Sequence, residues 1–329
     1  MNKPFLMKPC GKDYLWGGSR INDDLAKNIA MSPLAESWEC STHPDGNSVA
    51  VGGEHAGKEL SAIIREHPEY LGTHPDMDGD LPVLIKFIDA KADLSVQVHP
   101  DDAYAFEHEQ GQRGKTEMWY VLDATPDAHL VYGLNRDSDP ETIRNAATEG
   151  TLERFLQKVP VQKGDLFFIE AGTIHAIGAG ALIVEVQENS NLTYRLYDYG
   201  RVDKNGNCRP IHLDKALDVA DLRKATEPRQ PLRVLKYRQG MAGELLCSCK
   251  YFEVYRMIVN TERRQQVVFR ADDYSFRVLL CVNGCGTMCF DRETAAEMIN
   301  IYKGDCIFVP ADSVPIRLHG QMQLLDVRG

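Results

Sequence analysis

The sequence predicts a mainly β protein that contains two jelly-roll barrels and a few peripheral helices. Many short β-rich stretches are separated by turns rich in Gly and Asp, a pattern typical of sandwiches and jelly rolls. In addition, KGDLFFI at 163–169 recurs 140 residues later as KGDCIFV at 303–309. A repeat of this kind indicates two copies of one β unit.

The elements follow from local patterns along the chain. A helix is expected over 58–71, where Pro68 ends or kinks it. A second helical segment is expected from Pro140, capped by Asp139, through Val159. The β-rich segments of the first part are 81–99, 117–122, 165–169, 181–187 and 192–198. Short strands are predicted after them over 251–259, 276–282, 286–290, 305–309 and 322–327.

The length of 329 residues suggests about two domains. Residues 221–240 are basic, contain two prolines and lack β alternation, so we interpret them as a linker. This predicts an N-terminal barrel with peripheral helices over 1–220 and a C-terminal barrel over 241–329. His175 in the first copy of the repeat corresponds to Pro315 in the second. Proline has no metal-binding side chain, so we expect one metal site, in the N-terminal barrel.

Composition narrows the function classes. The formal net charge of −11 argues against a general nucleic-acid or anionic-membrane surface, and means that an anionic substrate needs local cations. The N-terminus lacks the apolar run of a signal peptide, and no stretch is apolar enough to span a bilayer, so a cytoplasmic location is expected. The nine cysteines form no C-x-x-C pair and are expected to be free thiols. We expect Cys281, Cys285 and Cys289 on one strand face, mostly as buried small side chains.

Three segments carry candidate metal ligands. In a strand over 94–99, Gln97 and His99 face the same way. Glu117 begins the next β segment, and a tight Gly turn presents His175. Two imidazoles, a carboxylate and a carbonyl oxygen suit a borderline-hard metal and usually leave room for water or substrate. Each residue alone is more often a structural side chain, and only the combination points to a metal.

The segment from Gly164 to His175 follows the cupin pattern G-x5-P-x-G-x2-H, except that Glu170 stands where Pro is usual. In cupins an H-x-H and a Glu lie upstream. Here Gln97 replaces the first His, and a loop from Pro100 to Lys115 delays the Glu.

With these departures the chain resembles the type I mannose-6-phosphate isomerases, short bacterial form, over nearly its whole length. The motifs that carry the resemblance are LWGG (15–18), AESWECSTHPDG (35–46), SVQVHPDD (95–102), GKTEMWYVL (114–122), GTIHAIG (172–178) and TYRLYDYGR (193–201). The resemblance implies a cupin fold and one Zn²⁺ per chain, bound by Gln97, His99, Glu117 and His175. It also implies a site arginine at Arg195 and a site lysine at Lys115.

The implied reaction interconverts mannose 6-phosphate and fructose 6-phosphate through an enediol. A metal can polarise the carbonyl and a nearby cation can stabilise the oxyanion, which suits Arg195. Inside a barrel this arginine needs an anion, either a carboxylate such as Glu185 or a substrate oxygen. The proton-transfer group is left open between Lys115, Glu185 and a metal-bound water.

The substrate needs further contacts. Arg201 is the candidate for the phosphate. Trp16 is a candidate contact for the sugar, as is Trp119, although core packing is the more common role for a tryptophan of this kind.

Two other functions fit parts of the pattern. An iron cupin dioxygenase would use the same His, His and Glu ligands. A non-enzymatic cupin that binds sugar would need no arginine at the reacting carbons. A small sugar phosphate is the expected partner, with no nucleic acid or membrane, and the chain is expected to be a monomer or weak homodimer.

Overall fold

The computed structural model describes residues 2–74, 79–202, 205–228, 233–262, 265–292 and 295–329. These residues form a mainly β structure with a few short helices, and the predicted fold class is confirmed. None of the described helices has the length and apolar character needed to cross a membrane.

The elements are numbered in chain order. The helices are α1 (Arg20–Leu25), α2 (Leu60–Glu66), α3 (Asp102–His108), α4 (Pro140–Thr148) and α5 (Leu213–Val219). The strands of the first 200 residues are β1 (Phe5–Lys8), β2 (Cys10–Lys12), β3 (Glu36–Cys40), β4 (Val49–Val51), β5 (Val83–Asp89), β6 (Val96–Val98), β7 (Glu117–Ala124), β8 (His129–Leu134), β9 (Leu156–Pro160), β10 (Leu166–Ile169), β11 (His175–Ile177), β12 (Ala181–Glu188) and β13 (Tyr194–Tyr197). The later strands are β14 (Lys236–Arg238), β15 (Met241–Ser248), β16 (Glu253–Asn260), β17 (Val267–Phe269), β18 (Arg277–Arg292), β19 (Ala295–Tyr302), β20 (Cys306–Val309) and β21 (Ile316–Arg328).

Three antiparallel sheets organise these strands. The first sheet has the order β10-β7-β12-β5-β3-β2, and the second has the order β13-β6-β11-β8-β9. The third follows β14-β15-β16-β21-β18-β20-β1-β4, with β17 on β21 and β19 on β18. Within the described ranges each sheet is open, so the predicted barrels are sandwiches with free edges.

The first sheet is the middle layer of the molecule. All eight residues of β12 are buried, and successive side chains point to opposite faces. Ile183 packs with Trp119 and Ile177 in a core shared with the second sheet. Val184 packs with Val254 and other apolar residues of the third sheet. Glu185 therefore faces the second sheet, which is the side that carries the candidate site.

The repeat predicted from the sequence is visible in backbone hydrogen bonds. Gly164, which begins the first copy's turn with a φ of 92°, donates its N–H to the carbonyl of Val121 at 2.8 Å. Gly304 has a φ of 101° and donates to Cys281 at 2.7 Å. Both glycines occupy the left-handed region, where a Cβ would be strained. The strand pairs β10–β7 and β20–β18 are thus equivalent parts of two related units.

The division at residues 220 and 240 stays a prediction, but strand pairing crosses it. Two strands from the N-terminal segment, β1 and β4, belong to the third sheet, where β1 pairs with β20. Part of the proposed linker is also structured, because β14 pairs with β15.

Several predicted boundaries are wrong. The helical segment expected through Val159 ends at Thr148, and β9 follows from Leu156. Gly150, at a φ of 72°, interrupts the helical backbone between them. The strand expected over 94–99 is shorter, Val96–Val98, so His99 lies just beyond its end. The helix over 58–71 is confirmed as α2, and Pro68 ends it by starting a 3₁₀ turn.

The strands expected over 276–282 and 286–290 are one long strand, β18. A register shift between Cys281 and Asn283 allows the strand to bend and continue. This bulge also alters the alternation of side chains on which the cysteine prediction depended. Cys281 is buried, but Cys285 is exposed and Cys289 is half-buried, so the expectation of three buried thiols is wrong.

Candidate metal centre and active site

Three strand ends bring the predicted metal ligands together. His99 follows β6, Glu117 begins β7 and His175 begins β11. His99 Nε2 lies 3.6 Å from Glu117 Oε2, and His175 Nε2 lies 3.4 Å from Glu117 Oε1. Ligands on a tetrahedral zinc ion are about 3.4 Å apart. Within the described residues this is the group of His, Cys, Asp and Glu side chains whose spacing suits a metal.

The two imidazoles are oriented for ligation. His99 Nδ1 donates to the carbonyl of Leu192 at 2.9 Å, and His175 Nδ1 donates to the carbonyl of Thr173 at 2.8 Å. These bonds assign the proton to Nδ1 and leave each Nε2 lone pair facing the centre. Burial lowers the pKa of His175 to about 4 and that of His99 well below its usual range, which favours the neutral ligand form.

The centre contains buried polar atoms without hydrogen-bond partners. His99 Nε2 and Glu117 Oε1 are in this state, whereas Glu117 Oε2 lies 2.8 Å from Lys115 Nζ. A buried charged or polar group without a partner costs free energy, and such groups are uncommon in proteins. These two atoms and Nε2 of His175 converge on one point, which fits a divalent cation.

Gln97 is at the same centre. In β6 it pairs with His175 of β11, and its Nε2 lies 3.2 Å from His175 Nε2. Turning the amide over presents Oε1, the acceptor atom, to the same point. The structure therefore brings together all four predicted metal ligands.

A buried row of alternating charges adjoins the ligands. Lys115 Nζ lies 2.8 Å from Glu117 and 3.9 Å from Glu185. Glu185 in turn lies 3.0 Å from Lys86, which is 3.8 Å from Glu36. Burial alone would raise the pKa of Glu185, but Lys115 and Lys86 outweigh it and lower the pKa to about 2. Glu185 is therefore an anion held between two lysines.

Lys86 and Glu36 were not anticipated from the sequence. A lone lysine in the apolar stretch LPVLIKFIDA was the available signal for Lys86. Burying such a charge requires a partner. The identity of that partner depends on pairing between β5 and β12, where Glu185 lies opposite Lys86.

Arg195 lies next to Gln97 across the strand pair β13–β6. Its Nε donates to Ser95 Oγ at 3.2 Å and its Nη1 to the carbonyl of Pro210 at 2.7 Å. Both acceptors are neutral. Of the two anions considered for Arg195, Glu185 lies 3.0 Å from Lys86 instead, which leaves the substrate oxygen. Burial, followed by the charge of Arg209, lowers the pKa of Arg195. A half-buried guanidinium bound to neutral oxygens retains charge for an anion.

Two further arginines gather around Asp198. Arg201 donates to the Asp198 carboxylate and to the carbonyl of Asp93. Arg209, which was not singled out in the sequence, contacts both oxygens of Asp198, at 2.8 and 2.5 Å. The single carboxylate of Asp198 faces two guanidinium groups, so this cluster of three side chains keeps an excess positive charge. The three side chains line a cavity of about 580 Å³.

The structure places Trp16 in the core. Its exposure is 4%, and it packs in the cluster that contains Trp119. Tyr14, which stacks on Trp16, is 36% exposed. Burial and then Glu36 raise the pKa of Tyr14. A sugar contact for Trp16 stays a prediction, and Tyr14 is the more accessible aromatic beside it.

Comparison with known proteins decides the family. The family model described as phosphomannose isomerase type I, catalytic domain, matches residues 5–122. A mannose-6-phosphate isomerase of Streptococcus mutans is 33% identical over 325 residues, covering 99% of this chain and 98% of the relative. The chain belongs to the type I mannose-6-phosphate isomerase family.

Other mannose-6-phosphate isomerases are also similar to this chain in sequence or in structure. The mannose-6-phosphate isomerase ManA of Bacillus subtilis is 38% identical over 256 residues, 77% of this chain and 78% of the relative. The crystal structure of a Bacillus subtilis mannose 6-phosphate isomerase superposes with a TM-score of 0.89 at 31% identity, covering 99% of both chains. A zinc-bound mannose 6-phosphate isomerase shares the fold over 99% of both chains, with a TM-score of 0.73 at 16% identity. Membership of this family makes the chain an isomerase.

Proposed function

We propose that this chain interconverts mannose 6-phosphate and fructose 6-phosphate and binds one Zn²⁺ through Gln97, His99, Glu117 and His175. The observation that carries the proposal is the convergence of buried, unpartnered ligand atoms of His99 and Glu117 on one point. Family relatives named mannose-6-phosphate isomerase and the zinc of one structural relative support substrate and metal.

The proposed metal centre and Arg195 would supply different parts of the reaction's chemistry. A bound Zn²⁺ would supply a Lewis acid that polarises the sugar's carbonyl and hydroxyl oxygens. Arg195 provides the fixed positive charge that stabilises the developing oxyanion. Its hydrogen bonds to Ser95 and the Pro210 carbonyl hold the guanidinium in place, so little reorganisation is needed during reaction.

Lys115 is the stronger candidate for moving the proton between C1 and C2. Its Nζ lies 2.8 Å from Glu117 and so reaches the edge of the metal centre. The oxygens of Glu185 are already engaged by Trp119 Nε1 at 3.0 Å and Lys86 at 3.0 Å. Glu185 therefore orients Lys115 rather than acting on the substrate.

Arg201 and Arg209 are proposed to bind the phosphate group. Phosphate accepts several hydrogen bonds from guanidinium groups and matches their planar geometry. The two arginines around Asp198 provide such guanidinium groups. They also form a local positive site in a protein whose net charge is −11.

A coupled assay of mannose 6-phosphate isomerisation tests the proposal, on purified protein before chelation, after chelation and after return of zinc. We expect turnover that disappears with the chelator and returns with zinc. Absence of turnover in folded, zinc-loaded protein would contradict the proposal. Oxygen consumption with iron would then favour a dioxygenase, and sugar binding without turnover would favour a binding module.

A further inference from the structure

The segment between the ligands His99 and Glu117 is anchored by a buried carboxyl group. Glu188, the last residue of β12, is 2% exposed. Its Oε1 accepts the backbone N–H of Thr116 at 2.7 Å, and its own N–H donates to the Thr116 carbonyl at 3.1 Å. Thr116 lies directly between Lys115 and Glu117. Glu188 therefore holds the backbone that carries two residues of the site.

A second carboxyl group meets the first. Asp102, at the start of α3, hydrogen-bonds to the side chain of Glu188 and accepts the N–H of Gly114 at 3.0 Å. It therefore connects the beginning of the segment to its end. Two carboxyl groups can hydrogen-bond only when one of them carries a proton. Burial, followed by the charge of Asp102, raises the pKa of Glu188 to about 8, so Glu188 holds this proton at neutral pH.

The third sheet supports the pair. The loop between β15 and β16 brings Tyr251, whose hydroxyl donates to Asp102 at 2.9 Å, and Lys250, whose Nζ lies 3.5 Å from the same carboxylate. All four side chains line a cavity of about 1140 Å³. The other charged or titratable side chains of its wall are His74, Glu107 and Arg113.

We propose that the Glu188–Asp102 pair, supported by Tyr251 from the third sheet, positions Lys115 and Glu117 and does so only while the pair shares a proton. The inference rests on the proposed function, because it assigns a positioning role within the same site. When both carboxyl groups are ionised they repel each other. Glu188 then moves away from Asp102 and gives up the Thr116 N–H, so the start of β7 loses its anchor.

The sign of the pH effect follows from this arrangement. Below pH 8 Glu188 is neutral and the anchor is intact; as the pH rises through about 8 the proton is lost and the anchor weakens. The pair thus predicts an alkaline decline in kcat with little change in KM, because substrate contacts are not part of the anchor.

The decisive variant is Glu188→Gln. Glutamine retains an oxygen for the Thr116 N–H and an N–H for Asp102, but it does not titrate. We expect the alkaline limb of its kcat profile to move upward by at least about one pH unit. Glu188→Ala removes both bonds and should lower kcat roughly tenfold or more, as loss of groups that orient metal ligands does. The matched control is Glu107→Gln, an exposed glutamate of the same cavity whose profile should equal that of the unmodified chain.

A second measurement does not depend on turnover. Amide hydrogen exchange at Thr116 is measured in metal-free protein above and below about pH 8, after correction for the intrinsic exchange rate. The unmodified chain should lose protection at Thr116 above that pH, whereas Glu188→Gln should keep it. Tyr251→Phe should lose part of the protection both above and below that pH.

The outcomes separate the two proposals. If the unmodified chain turns over mannose 6-phosphate but Glu188→Gln has the same pH profile and the same exchange as that chain, the positioning role is wrong. If exchange at Thr116 follows Glu188 as described but the unmodified chain shows no turnover, the proposed function fails while the shared-proton anchor stands.

Discussion

Convergence of buried side chains on one point marks out the proposed metal ligands His99, Glu117 and His175 among the described residues. In both His99 and His175, Nδ1 donates a hydrogen bond to a backbone carbonyl, so only Nε2 is left to bind a metal. This arrangement fixes the tautomer before any metal arrives. Gln97 occupies the place that a histidine holds in most cupins, so we expect metal binding to depend more heavily on the other three proposed ligands.

Loss of one imidazole should therefore remove metal and activity together. We expect His99→Ala or His175→Ala to lose zinc and turnover in parallel, because the remaining ligands bind the ion weakly. Metal content by mass spectrometry and the coupled assay check this. His108→Ala, an exposed histidine on α3, is the control and should keep both. Retained turnover in a zinc-free His175→Ala protein would move the metal site elsewhere.

We expect loss of Arg195 to affect catalysis without affecting metal binding. The hydrogen bonds described for its side chain go to Ser95 and Pro210, and neither is a proposed metal ligand. Arg195→Ala should keep zinc but lower kcat by roughly 10² to 10³, the effect of losing an oxyanion donor. Steady-state kinetics with parallel metal analysis checks this. Arg144→Ala, on the surface of α4, is the matched control. A rise in KM with kcat unchanged would make Arg195 a binding residue.

At the scale of elements, α4 shows how local sequence is sufficient for a local structure. Asp139 caps the helix through its carboxylate, which accepts the Thr142 N–H at 2.9 Å, and Pro140 occupies the first turn. Asp139→Ala should lower Tm by roughly 2 °C, while zinc content and kcat stay as they are. Asp139→Asn keeps a capping acceptor and should show a smaller shift by calorimetry. A change in kcat without a change in Tm would contradict this reading of the cap.

The two related units differ where the metal would sit. Glu117 pairs with Ile169, and the equivalent pair in the third sheet is Arg277 with Val309. A guanidinium therefore takes the place of the carboxylate proposed to bind the metal, and its Nε donates to Asp326 at 2.9 Å.

Pro315→His should accordingly create no second metal site, because a cation occupies the position of Glu117 and repels a metal ion. Metal analysis should find one zinc per chain in this variant, as in the unmodified protein. Two zinc ions per chain would show that the C-terminal unit retains the other ligands.

At the scale of the whole molecule, the two units share strands and core. Phe5 of β1 contacts Phe308 of β20, with ring centroids 5.4 Å apart, and β4 extends the same sheet. The first sheet buries one face against the third sheet. The oligomeric state, expected to be monomer or weak homodimer, stays a prediction.

A fragment of residues 1–220 should not form a stable monomer, because β1 would lose its partner and an apolar face of the first sheet would be exposed. Circular dichroism and size-exclusion chromatography of this fragment check the expectation. A monomeric fragment with cooperative unfolding would show that the first 220 residues form an autonomous domain.

The sequence by itself determined the class of the fold and the repeat, and it named the residues that are proposed as metal ligands. Alternating apolar residues, Gly turns and the pairing of His175 with Pro315 in the repeat are local patterns, and local patterns depend only on near neighbours in the chain. The helix cap at Asp139 belongs to this group. The sequence predicted too long a helix at α4, because Gly150 interrupts the helical period. It predicted two strands in place of β18, because a bulge interrupts the alternation.

Only the tertiary structure decided which charges face one another. Glu185 was a plausible partner for Arg195 until strand pairing placed it opposite Lys86, and Asp102 meets Glu188 across 86 residues of chain. The same holds for β1 and β4, which cross to the C-terminal sheet. Hydrophobic burial, which drives the sheets together, has no directional preference, so the local sequence does not specify which buried faces meet. Such contacts between distant residues therefore emerge only when the layers pack.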